Sequence, residues 1–147
     1  MVPSSKNVIA ITPISKTNGA TAVGEFIDTK GFDYAVISVI ASTADVVSNT
    51  LSVLKIEEGD TTSSFATFAG AVQSTDFTVA TNAYTSTSAG QNVWTFGVDT
   101  RARKRYLRVS ASPQTTMVIG GVASLHRGEK GIPANAADAG SLNAIYV

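Results

Sequence analysis

The chain has no cysteine, one histidine and one tryptophan, and only 15% of its residues are charged, against roughly 25% in average globular usage. Without cysteine there is no disulfide framework, no thiolate nucleophile and no zinc ribbon. His126 stands alone, whereas a histidine-based metal site takes two or more such ligands close together. It reads as a surface or rim histidine. A serine nucleophile elbow of the G-x-S-x-G type does not occur. Gly120-Gly121 and Gly128-x-x-Gly131 match neither a P-loop nor a dinucleotide fingerprint and read as backbone bends. No apolar run reaches the ~18 residues of a membrane helix. The opening MVPSSKNVIAITP lacks the charged region, apolar stretch and cleavage site of a signal peptide.

What is present is apolar and rich in hydroxyls. Of 147 residues 44% are hydrophobic, and 16 Ser plus 18 Thr contribute small hydroxyls. That is too apolar for a disordered segment. The length suits one domain, and a chain of this size can bury around 70% of its unfolded surface.

Helix periodicity is weak throughout. Val, Ile, Thr, Phe and Tyr fill the apolar runs, and their branched or aromatic side chains fit a pleated surface. Gly, Asn, Asp, Ser and Pro separate those runs. Strands are predicted at 7–12 (stopped by Pro13), 22–28, 33–42, 51–58, 92–99, 106–111 and 116–126, with a short one at 76–80. Residues 65–72 fit either a strand or a helical turn. Tyr34, Val36 and Ile40 oppose Ile37 and Val39, so 33–42 reads as a central strand covered on both sides. Leu54 and Ile56 oppose Lys55 and Glu57, giving a half-exposed strand. Trp94, Phe96 and Val98 share one face, a strong core signal. Eight or nine short strands with regular turns predict an all-β protein, an antiparallel β-sandwich or jelly roll. The expected division is a domain over 1–126 and an extended arm over 127–147. There is no internal repeat.

Glu57 and Glu58 are adjacent on a strand and therefore point to opposite faces, which does not make a glycosidase pair. Glu58 and Asp60 lack the ligand density of a calcium loop. No catalytic residue, cofactor or metal is assigned. The charge distribution says more. Residues 1–100 carry 4 basic and 9 acidic side chains, and residues 101–147 carry 7 basic and 2 acidic. Arg101, Arg103, Lys104, Arg105 and Arg108 form one basic segment. If it is extended, Arg101, Arg103 and Arg105 share one side, with Lys104 and Arg108 on the other. Three readings stay open: a contact with an acidic protein surface, internal pairing with Asp99, Glu57 or Glu58 together with edge protection, or a polyanion site. Nucleic acid is disfavoured, since the sequence pI is 6.6 and only Tyr106 interleaves with the charges. At the C-terminus, Leu142, Ile145, Tyr146 and Val147 form an apolar tip on a Gly- and Ala-rich tether. The tip is expected either to dock on a neighbouring subunit or to fold back on its own domain.

The segments GFDYAVISVI (31–40), LSVLKIEEGD (51–60), FGVDTRARKRYLRV (96–109) and LHRGE (125–129) resemble, in their order, the capsid decoration (cement) proteins of tailed bacteriophages. The resemblance spans roughly residues 30–130. It implies a β-rich virion protein made in the host cytoplasm, a homotrimer on the capsid surface that braces the major capsid protein and makes no membrane contact. With that partner, the expected interface residues are Arg101, Arg103, Lys104, Arg105, Leu142, Ile145, Tyr146 and Val147. The alternative is a tail or fibre module that binds a host glycan through loop aromatics such as Tyr84.

Overall fold

The computed structural model describes residues 5–42, 50–78 and 92–127, together with the backbone strand at 143–146. The strands are β1 Ser5–Lys16, β2 Ala22–Val23, β3 Ile27–Asp28, β4 Tyr34–Ala41, β5 Leu51–Gly59, β6 Ala66–Val72, β7 Asn92–Asp99, β8 Tyr106–Pro113, β9 Met117–His126 and β10 Asn143–Tyr146. They form two sheets, one in the order β1-β9-β4-β7-β10, the other β2-β8-β5-β6 with β3 also on β8. The molecule is an all-β sandwich, antiparallel except where β10 joins β7.

β2 and β3 are two pieces of one broken strand. Ala22 and Val23 oppose Ala111 and Ser110, and Ile27 and Asp28 oppose Leu107 and Tyr106 on the same partner. Counted so, the antiparallel pairs nest: β1 with β9, β2/β3 with β8, β4 with β7, β5 with β6. The first half of the chain folds back on the second as one long hairpin, and that hairpin is rolled across two layers. This winding is a jelly roll.

The period-two pattern explains the core. Ile37 and Val39 of β4, Trp94, Phe96 and Val98 of β7, and Ile119, Ala123 and Leu125 of β9 point inward from one sheet. Leu54 and Ile56 of β5 and Leu107, Val109 and Ala111 of β8 meet them from the other. All are essentially without solvent contact, as a sandwich interior requires.

Several expectations are corrected. Pro13 does not stop β1, because β1 is an edge strand whose register shifts around Ile11 and Ile14 and leaves the proline no ladder bond to supply. Pro13 and the terminal Lys6 and Lys16 also blunt that edge against unwanted pairing. The 22–28 run breaks at Gly24, where the chain comes close to both sheets: Gly24 N donates to Val109 O at 2.7 Å and Glu25 N to Ala10 O at 3.0 Å. Residues 65–72 resolve as the strand β6. Asp76 and Phe77 belong instead to a tight turn, where Val72 N donates to the Asp76 carboxylate at 2.9 Å; residues 79–80 lie outside the described residues. β8 continues past the expected end at 111 through Ser112 to Pro113. Gly120-Gly121 sits opposite the β1 register shift, and Gly19 and Gly31 occupy turns between the strands with φ of 74° and 84°.

Candidate functional site

The two outer faces of the sandwich differ in chemistry. On the β1-β9-β4-β7 sheet, register aligns outward positions in rungs. One rung is Asn7, Ser124, Val36 and Gly97; the next is Ile9, Val122, Ser38 and Thr95; the next holds Gly120, Ile40 and Val93. Pro13 lies over Gly120, and Val118 flanks Ser42 beyond them. Ile9 is 54% exposed, and Ile40, Val118 and Val122 are each 48% exposed. With Pro13 and the glycine floor they enclose a shallow groove of about 520 Å³. The only ionisable groups at outward positions of these four strands are Tyr34, His126 and Asp99, all on the rung at one end. There the His126 ring stacks on Tyr34 with centroids 5.2 Å apart, which makes it the rim histidine expected.

β4 is central, but it is not covered on both sides. Its inner face is buried, while its outer face is open around Ile40. Apolar residues in both phases of β4 therefore mark this surface rather than burial on both sides.

The other sheet's outer face carries ions. Glu57 Oε1 accepts from Lys55 Nζ at 2.9 Å. Its Oε2 accepts from Arg108 Nε at 3.2 Å, Arg108 Nη2 at 2.9 Å and Ser110 Oγ at 3.1 Å. Burial pushes this carboxyl's pKa up, but bonds from Lys55, Arg108 and Ser110 outweigh burial and hold it below the ordinary value. The Phe65 ring covers the Arg108 guanidinium at 4.2 Å.

The basic segment is largely engaged within the chain. A 3₁₀ turn at Thr100–Ala102 breaks the strand alternation expected for it. Arg101 forms a fork on Asp99, with Nε to Oδ1 at 2.9 Å and Nη2 to Oδ2 at 2.7 Å. Those bonds, with the Arg101 backbone N–H, bring the Asp99 pKa down to about 2. Arg105 forms the same fork on Asp28, whose pKa is likewise lowered to about 2, chiefly by that bond. Lys104 Nζ meets Asp60 at 2.9 Å, and its backbone N–H donates to Glu58. Arg103 lies over the Phe68 ring at 4.5 Å, with its Nε buried and without a hydrogen-bond partner. Of the three readings, internal pairing is present for Arg101, Lys104, Arg105 and Arg108, and Asp28 and Asp60 are partners that spacing did not identify.

Of the expected tip, Ile145 and Tyr146 lie in β10, which pairs in parallel with β7 of its own chain, Asn143 opposite Trp94 and Tyr146 opposite Gly97. Leu142, Val147 and Tyr84 lie outside the described residues. Among the described residues no group of three His, Asp or Glu could hold a metal ion, and no helix is long and apolar enough to cross a membrane. No protein-family model and no curated protein sequence matches the chain.

Proposed function

We propose that this chain is a virion structural protein of a tailed bacteriophage, without enzymatic activity, that decorates the capsid shell. It stabilises the shell by binding as an oligomer across neighbouring major capsid subunits. The observation that carries this reading is the open, uncharged, apolar face around Ile9, Ile40, Val118 and Val122, carried by the paired strands β1, β9 and β4. A frame of this kind suits adhesion: the strands lose little conformational freedom on docking, and exposed apolar area drives association. The resemblance of the order of its sequence segments to that of decoration proteins is what suggests the virion setting. Linked copies that each touch a different shell subunit gain avidity of about 10²–10⁴ without any new type of contact.

Sedimentation of the purified protein with empty phage heads tests the reading. Co-sedimentation at a fixed copy number, with heads that withstand higher temperature, is the expected result. A protein that stays in the supernatant and is absent from purified particles refutes it.

A further inference from the structure

We infer that Arg103 is a binding site for a single carboxylate, offered by the acidic surface of a partner protein. The inference deepens the adhesive reading above and rests on it for the partner, a shell subunit that presents an Asp or Glu side chain.

The cations around the 3₁₀ turn are not equivalent. Arg101 is closed on Asp99 at 2.7 Å, Lys104 on Asp60 at 2.9 Å and Arg105 on Asp28 at 2.7 Å. Among the described residues the Arg103 side chain has neither an ion pair nor a hydrogen bond. Asp99 feels its charge, but both Asp99 oxygens are already held by Arg101.

The guanidinium is nevertheless anchored. Its carbon lies 4.5 Å from the centre of the Phe68 ring, and Phe68 is a buried member of the core. The face of the ring attracts the cation and fixes its position. Arg103 Nε is buried without a partner, so folding removed water from that N–H and returned no bond. Of the side chain's nitrogens only Nε is both buried and unbonded; the two Nη nitrogens, equally unbonded, keep contact with solvent. A guanidinium held from below and open along its Nη edge presents paired N–H groups at the spacing of the two oxygens of a carboxylate.

The surroundings choose a carboxylate over a polyanion. Arg101, Arg103, Lys104 and Arg105 bring four positive charges, and Asp99, Asp60, Asp28 and Glu58, which bond to this segment, bring four negative ones. Nucleic acid is drawn by an excess of positive charge along its backbone, and here there is none. Phosphates beyond the first would face the carboxylates. One carboxylate fills Arg103 without displacing any existing pair.

The test is a titration of the ¹⁵N-labelled full chain with an acetylated, amidated hexaglutamate peptide, read on the arginine Nε–H resonances. The shielded Arg103 Nε–H signal should shift and saturate at millimolar peptide. Arg103→Met keeps an apolar cover on Phe68 and removes the fork; it should weaken peptide binding ~10-fold or more. Arg103→Lys keeps the charge without the fork and should recover only part of that loss. If Arg103 only covers Phe68, the variants change melting and leave the titration alone, which overturns the inference. An Arg103 signal that the peptide leaves in place overturns it too, as does tighter binding of an oligothymidylate of equal charge. Head binding separates the two readings. Peptide binding through Arg103 by a protein that ignores heads refutes the shell role and keeps the site. Equal head binding by wild type and Arg103→Met keeps the shell role and refutes the shell subunit as the partner of Arg103.

Discussion

Glu57→Gln is the sharpest test of how the charged face is held together. The substitution keeps the shape and removes the charge. Glu57 takes four hydrogen bonds, one from Lys55, two from Arg108 and one from Ser110. An amide has one acceptor oxygen. Turned toward Arg108 and Ser110, it keeps those bonds in weaker, uncharged form and points its NH₂ at the Lys55 ammonium. Hydrogen bonds to charged groups are worth ~1.5–3 kcal/mol each, and removing one partner of a buried ion pair costs ~3–5 kcal/mol. The side chains of Lys55 and Arg108 are 29% and 26% exposed, so both can recover part of their hydration, and Lys55 can swing away. The expected loss is therefore ~2 kcal/mol, or ~6 °C in melting temperature for a chain of this size. Differential scanning calorimetry at pH 7 reads it. Replacing the trio by apolar residues, with Glu57→Leu, Lys55→Met and Arg108→Met together, should recover most of the loss, since well-packed apolar groups often equal a buried ion network. A Glu57→Gln protein that melts at or above the parent temperature refutes the claim that this network contributes to folding.

Gly24→Ala should destabilise the sandwich by ~2 kcal/mol or more, seen as a lower urea midpoint, because the added methyl falls onto the Ala10 and Val109 carbonyl oxygens; Gly19→Ala, in open space, serves as the comparison and carries only the cost of its positive φ. Asp28 and Asp99 have folded-state pKa values lowered to about 2, below their ordinary 3.8, so their contribution is complete above about pH 4 and is lost as pH falls toward 2. Both carboxylates are only partly buried, so the Asp28→Asn, Asp99→Asn double variant should shift the acid limb of a pH–melting curve only slightly, by ~1 kcal/mol or less. Deleting residues 140–147 removes β10 and leaves β7 as the sheet edge. Lower melting temperature and concentration-dependent aggregation should follow, and an unchanged melt shows that the strand adds nothing to the fold.

The strands were legible because alternation is local. Asn92–Asp99 announces its inner face through Trp94, Phe96 and Val98, and β7 occupies those same residues. Leu51–Gly59 turns Leu54 and Ile56 to one face and Lys55 and Glu57 to the other as its sequence requires, but Glu57 is buried among its ion-pair partners rather than exposed. Turn chemistry was equally readable at Gly19 and Gly31, where positive φ is needed. Errors arose where a neighbour outranks local preference. Pro13 sits within a strand because that strand is an edge. The 22–28 run breaks because Gly24 is wedged between two carbonyls from different sheets.

Strand alternation and turn residues thus set an all-β chain with a core on one side of each strand, since each side chain's direction depends only on its own backbone. They do not contain the winding order, because pairs such as β1 with β9 join residues more than a hundred positions apart. That winding places Asp28 beside Arg105 and Asp60 beside Lys104, turning a run of cations into closed ion pairs. It also leaves Ile40, Val118 and Val122 together on one open face. Apolar residues on both sides of a strand look the same in sequence whether a second layer covers them or one face stays open, and only the three-dimensional packing separates the two.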